Sequence, residues 1–189
     1  MQPMGRLIYS LSVSLDGYAA GPDGSLEAFD VDEEIHAWFN DRARETAAFL
    51  YGRRIYELMA GYWPLAGTDP DAPPVIRDFA RIWIRTPKIV FSSTLREAPW
   101  AERLVRGDPL AELTRLRATY DGDLDLGGPT LASAFVSAGL VDEYRLVVHP
   151  VVLGVGIPFF RDVPAPIPLR LVDTRRFAGG AVLLVYRPA

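Results

Sequence analysis

Apolar and small residues gather in short runs along this chain, and the runs alternate with segments of helical spacing. The first run, residues 6–13, is stopped by Asp16-Gly17 and predicts a strand entering a turn. A loop punctuated by Gly21, Pro22, Asp23 and Gly24 follows. Ile35, Trp38, Phe39 and Arg42 then recur at helical spacing behind the acidic cluster Asp30, Asp32, Glu33 and Glu34. Acidic residues there suit the positive end of a helix dipole. Residues 47–51 predict a second strand ending at Gly52, and residues 53–60 a short helix stopped by Gly61. A Pro-, Gly- and Asp-rich loop over 64–74 leads into a helix over 74–83 and a strand over 88–92. Asp108 as N-cap and Pro109 at the first helical position open a helix to about residue 119. A short strand over 123–126 runs into Gly127-Gly128-Pro129-Thr130, and a small-residue helix over 131–138 ends at Gly139. The last third is mostly strand: 143–152, where Pro150 must sit at an edge, end or bulge, then 169–176 and 182–186.

Strands that alternate with helices and then give way to strands imply an α/β fold. Its central sheet would be mostly parallel with an antiparallel C-terminal edge, and helices would cover both faces. No repeat, linker or second domain is visible, so residues 1–189 read as one domain. At 49% hydrophobic the chain can fill one sizeable core. Its formal net charge of -4, from 20 Lys+Arg and 24 Asp+Glu, carries no basic footprint for nucleic acid, although a few clustered arginines can still make a local basic pocket. The absence of cysteine excludes disulfides, thiolate metal sites and cysteine nucleophiles. Two histidines, His36 and His149, cannot make a three-histidine zinc site, and no metal is expected. The N-terminal residues lack a signal-peptide pattern, and no apolar stretch is long enough to span a bilayer. The expected location is therefore the cytoplasm, without a membrane partner.

Three strand-to-helix junctions are candidates for ligand binding: Tyr51-Gly52-Arg53-Arg54, the weaker Ser92-Ser93-Thr94, and Leu126-Gly127-Gly128-Pro129-Thr130. In open α/β sheets ligands bind beyond the carboxyl ends of strands. A helix N-terminus there offers free N–H groups to a phosphate, and glycine lets the backbone come close. Arg53 and Arg54 add charge where a nucleotide phosphate would sit. The same glycines also serve as plain turn formers, so on spacing alone both readings stand. Gly154-Val155-Gly156 is rejected as a dinucleotide fingerprint, because Phe159 stands at the third glycine position and no helical pattern follows. There is no P-loop and no G-x-S-x-G elbow.

Ser14-Leu15-Asp16-Gly17-Tyr18, Gly21-Pro22-Asp23-Gly24 and Tyr51-Gly52-Arg53-Arg54-Ile55-Tyr56-Glu57 stand in a recognisable order with three later segments. These are Gly127-Gly128-Pro129-Thr130-Leu131, Gly139-Leu140-Val141-Asp142-Glu143 and His149-Pro150-Val151-Val152-Leu153-Gly154. The series resembles the bacterial dihydrofolate-reductase-like proteins, which are similar to the reductase domain of riboflavin biosynthesis. The resemblance spans nearly the whole chain. It implies the dihydrofolate-reductase-like fold, NADPH as cofactor, hydride transfer to a pterin- or pyrimidine-like ring, and a homodimer. By the same resemblance Ser12, Ala19 and Ala20 would border the nicotinamide. Gly52, Arg53 and Arg54 would hold phosphate, and Ser92, Ser93 and Thr94 would meet the adenosine 2′-phosphate. Gly127, Gly128, Pro129, Thr130 and Leu131 would wrap the diphosphate. Two departures stand out. Ile35 falls where dihydrofolate reductases carry a pteridine-binding carboxylate, which argues against folate as substrate, and Ile55 falls where they usually carry Thr. With no deaminase segment and no zinc ligands, the chain is not expected to be the bifunctional riboflavin enzyme.

Asp16 is a candidate for catalysis, for substrate contact or for orienting its loop, against the reading of a turn aspartate capping its own backbone. His36 is a candidate proton donor or a helix-surface histidine, and His149 reads as structural. Trp38 is a candidate stacking surface for a flat ring, while Phe39 reads as core. Trp63, Trp83 and Trp100 read as packing or interface residues. Val151, Val152, Phe159 and Phe160 read as either a dimer surface or core. The function expected is an NADPH-dependent reductase of a small heterocycle. The alternative is a nucleotide-binding or non-catalytic interaction protein on the same fold.

Overall fold

The computed structural model describes residues 5–189. Its elements run β1 (Leu7–Val13), β2 (Tyr18–Ala20), α1 (Glu33–Arg44), β3 (Thr46–Gly52), α2 (Arg53–Ala66), α3 (Pro74–Arg85), β4 (Lys88–Phe91) and β5 (Arg103–Val105). They continue as α4 (Pro109–Thr119), β6 (Asp123–Gly127), α5 (Pro129–Ser137), β7 (Glu143–Val148), β8 (Ile157–Pro158), β9 (Leu169–Arg176) and β10 (Val182–Pro188). The main sheet has the order β5-β4-β3-β6-β1-β7-β10-β9, and β2 pairs with β8 in a separate ladder. From β5 to β7 every pairing is parallel, while β10 is antiparallel to β7 and to β9.

The two-residue alternation of a strand decides which helix covers which face. Ala48 and Leu50 of β3 enter a core with Leu113 and Leu116 of α4 and with Ala132 and Phe135 of α5. Phe49 and Tyr51 point the other way, into a cluster with Ala43 of α1, Tyr56 of α2, and Phe79 and Trp83 of α3. A third cluster joins Ile35 of α1 to Val147, Leu183 and Val185 above β7 and β10. Helices therefore lie on both faces, as the element order implied.

Several local expectations give way to packing. Gly61 does not stop α2, which runs to Ala66 with Pro64 inside it. A glycine in a helix costs only about 1 kcal/mol, and the continued turn carries Trp63 onto Phe79 of α3, with ring centroids 4.4 Å apart. Strand β7 ends at Val148, not at residue 152. There the chain turns, with the Val151 amide donating to the His149 carbonyl at 2.8 Å and Pro150 unable to donate at all. Ser92 leads into a loop and then β5, not into a helix, because its hydroxyl accepts the amides of Thr94 (3.2 Å) and Leu95 (3.0 Å) and turns the chain. Helix α5 opens at Pro129, two residues before its expected start. Strands β2, β5 and β8 have three residues or fewer, too short for any periodicity to announce them. Among the described residues no helix is long and apolar enough to cross a membrane.

Two buried charges fasten the periphery. Lys88 Nζ donates to the carbonyls of Trp83 (2.5 Å) and Thr86 (2.6 Å), closing the C-terminal end of α3. At the start of β7 the buried Glu143 carboxylate receives Arg6 (2.7 Å), Arg145 (2.6 Å) and Arg187 (2.8 Å).

Candidate functional site

The carboxyl ends of six parallel strands form one continuous edge. The sheet order places Arg106 beyond β5, Ser92-Ser93-Thr94 beyond β4 and Gly52-Arg53-Arg54 at β3, followed by Gly127-Gly128 at β6, the β1–β2 loop, and His149 beyond β7. Five inter-strand spacings of about 4.8 Å make a track of about 24 Å, long enough for an extended dinucleotide.

The centre of this track is two interlocked helix starts. Tyr51 of β3 lies in register with Gly127 of β6, and a Cβ on Gly127 would come within 2.8 Å of the Tyr51 ring. Gly128, at φ +95°, would place a Cβ 3.4 Å from Ile55 Cγ2 of α2, and Gly52 would place one 3.5 Å from Leu131 Cβ of α5. Helices α1 and α4 are capped by Asp32 and Asp108, which accept the amides of Ile35 (2.8 Å) and Leu110 (2.9 Å). Helices α2 and α5 have no side-chain cap. Their first-turn N–H groups are left to find another acceptor, beside the exposed Arg53 and Arg54. Sequence reading missed two further cations. Arg161 donates to Thr130 Oγ1 at 3.0 Å in the first turn of α5. Arg106 donates to the carbonyls of Ser93 (3.4 Å) and Arg96 (3.1 Å), lying against the Ser92–Thr94 turn. Arg161 lies 31 residues from Thr130, and Arg106 lies 13 from Ser93 across β5, so no local motif signals them.

At the other end, Ser12 Oγ lies 2.9 Å from Nε2 of His149. His149 is 2% exposed. Burial lowers its pKa, against the opposing pull of Asp30 and Asp32, so the imidazole is neutral at pH 7. Ala19 and Ala20 are buried on β2. Asp16 accepts the amides of Leu153 (3.1 Å) and Gly154 (2.8 Å), which ties the β1–β2 loop to the β7–β8 loop. The Ser14 hydroxyl, with those amides, holds the Asp16 carboxyl down at about 2. A Cβ on Gly156 would come within 2.3 Å of the Ala20 carbonyl oxygen. Gly154-Val155-Gly156 therefore serves this close approach, and it leads into β8, not into a helix.

Helix α1 distributes its candidates differently. His36 shares a 3.1 Å hydrogen bond with Asn40 and meets Trp63 and Phe79 edge-on, within the α1–α2–α3 packing. Ile35 is buried among Val147 and Leu183. Trp38 packs edge-on against Phe39 (5.0 Å) and Phe177 (6.3 Å) and lines a groove above β7, β10 and β9. Trp83 is fully buried, and Trp100 is exposed. Phe159 is core, stacked 4.0 Å from Tyr9, whereas Val152 and Phe160 are exposed. Asp125, also unforeseen, sits on β6 opposite Ile8 and Phe49, and burial pushes its carboxyl up to about 7 against the pull of Arg145.

The family model of the RibD C-terminal domain matches residues 6–183. The uncharacterized protein YyaP of Bacillus subtilis is 36% identical over 96% of this chain and 94% of its own. Among solved structures, a putative riboflavin biosynthesis protein from Shewanella sp. PV-4 has a TM-score of 0.73 at 21% identity, covering 98% of this chain and 99% of that one. Dihydrofolate reductase from Enterococcus faecalis, complexed with NADP(H), has a TM-score of 0.66 at 16% identity, covering 98% and 97%.

Proposed function

The chain belongs to the RibD C-terminal domain family, and on that premise we propose that it is an NADPH-dependent reductase of a small pterin- or pyrimidine-like heterocycle. One observation carries the reading: two uncapped helix N-termini interlock through glycines at the centre of a strand-end track flanked by arginines. Such a cradle suits a diphosphate, because it offers unsatisfied N–H donors, positive helix ends and a backbone stripped of side chains. The residues therefore fit the cofactor. Gly52, Gly127 and Gly128 let the diphosphate approach, with Arg54 and Arg161 beside it and Arg53 on the side of the 2′-phosphate. Ser92, Ser93 and Thr94, with Arg106, receive the 2′-phosphate end. Ser12, Ala19 and Ala20 border the nicotinamide end. The structural neighbour from Enterococcus faecalis supports the same ligand class.

When bound, NADPH supplies the hydride. The protein's share is to orient the acceptor, exclude water and deliver a proton. At the nicotinamide end the Ser12 hydroxyl, backed by the neutral His149, is the protic group that can face the acceptor. Ser12 is then the contact residue and His149 positions it. Asp16 works at one remove, as the tie between the two loops. No carboxylate stands at Ile35, so pteridine protonation cannot follow the route of the folate enzymes.

Fluorescence titration with NADPH, and separately with NADH, tests the reading. Saturable binding that favours NADPH, followed by NADPH oxidation with a heterocyclic acceptor, is the expected result. Tight NADPH binding without oxidation across an acceptor screen would favour the non-catalytic alternative, to which the buried Ile35 points. Failure to bind either nucleotide would end the cofactor assignment.

A further inference from the structure

A groove of about 580 Å³ opens between α1 and the α1-facing side of β7, β10 and β9. It lies at the opposite end of the sheet from the glycine junctions. Its floor begins at Arg6, just before β1, and the seven residues of β1 separate that point from Ser12 and Val13 by about 20 Å. The volume falls within the range of small-molecule sites.

The lining is unusual for a chain of net charge -4. Five arginines face the groove: Arg6, Arg42, Arg145, Arg170 and Arg187. Glu143 and Asp173 are the acids of the lining. Glu143 is already shared by three of the arginines, and Asp173 accepts the amide of Thr174. Arg6 is also held by Asp123 at 2.5 Å, so these three guanidiniums face two carboxylates, which still leaves one positive charge and spare N–H donors. Arg170 has no ion pair among the described residues. Arg42 reaches Glu45 through Nη1 at 3.2 Å, but its Nε is buried without a hydrogen-bond partner among the described residues. The wall above the arginines is apolar and partly aromatic: Trp38 from α1, with Leu183 and Val185 from β10.

We propose that this groove binds an aromatic monophosphate, its ring against Trp38 and its phosphate between Arg42 and Arg170. The site is separate from the cofactor edge and does not depend on the reductase reading. Arginine suits the task because its fork meets two phosphate oxygens at once, and an indole face suits a flat ring.

Phenyl phosphate is the probe, titrated calorimetrically into the full chain. One saturable site is expected, weakened about tenfold by Arg170→Ala and by Arg42→Gln. Phenol, which lacks the phosphate, should not compete. Arg170 lies on the outermost strand, so its variant should fold as the parent does even if Arg42→Gln does not. Arg53→Ala and saturating NADPH should leave the phenyl phosphate isotherm unchanged. The proposal is overturned by the absence of a saturable site. It is also overturned if Arg53→Ala or NADPH abolishes binding, because the anion would then sit at the cofactor edge. Sedimentation that shifts from dimer to monomer in Arg170→Ala, without change in the isotherm, would assign the groove to a second copy of the chain.

Discussion

At the scale of single residues, charge placed on the edge track is the most direct test of the cofactor assignment. Arg106 leans on the Ser92–Thr94 turn, so Arg106→Ala should raise the dissociation constant for NADPH about tenfold and leave NADH nearly unchanged. Arg53 opens α2 beside that turn, and Arg53→Ala should likewise weaken NADPH more than NADH. Equal losses for both nucleotides would confine Arg53 to the diphosphate. The arginine pair could be read from its neighbours Tyr51-Gly52. Arg106 and Arg161 could not, because only the parallel β4–β5 pairing and the turn beyond β8 bring them to the track. Lys88 makes the same point about stability. Its ammonium is buried and satisfied by helix-end carbonyls, so Lys88→Met should lower the unfolding free energy by about 1–3 kcal/mol in urea melts. An unchanged midpoint would mean that water serves those carbonyls equally well.

At the scale of elements, the interlocked starts of α2 and α5 join stability to binding. Gly128 has φ +95°, and a Cβ there would meet Ile55 only at ordinary contact distance. Gly128→Ala should therefore cost about 1–2 kcal/mol of stability from backbone conformation alone, and should weaken NADPH by pushing the α5 amides out of line. A variant that loses stability but binds NADPH normally would separate the turn from the ligand. The glycines themselves were legible in the sequence, but their mutual contact was not: the parallel pairing of β3 with β6 creates it. Ser92 shows the reverse case. It was legible as a junction, yet its hydroxyl bends the chain into a loop, and the expected helix never forms.

At the scale of the whole molecule, two carboxylates give the stability curve opposite slopes. Burial would raise Glu143, but Arg145, Arg187 and Arg6 outweigh it and hold its pKa below the ordinary value. Its contribution is present above the unfolded pKa and is lost as pH falls through the folded one. Asp125 is pushed up to about 7 by burial. The folded state then holds the proton more tightly than the unfolded chain, so stability falls as pH rises from about 4 to about 7. Thermal melts across this range should show Asp125→Asn flattening the neutral limb and Glu143→Gln removing part of the acid limb. If Asp125→Asn leaves the slope between pH 5 and 7 intact, water reaches the carboxylate freely enough to ionise it at an ordinary pKa.

What the sequence alone determined was local: alternating runs of helix and strand, glycines at strand ends, the aspartate cap on α4, and the ordered motifs that led to the family. These depend on spacings of a few residues, which the chain carries wherever it folds. What the tertiary structure decided was which ends meet. It set β3 beside β6 and β1 between β6 and β7, gathering the strand-end loops into one track. It carried His149 to Ser12, turned His36 into the helix packing and laid Trp38 over an arginine-lined groove. Ser12 and His149, for one, stand 137 positions apart. Such contacts are fixed by burial and strand pairing across the whole sheet, a cooperative outcome that no single window of the chain contains.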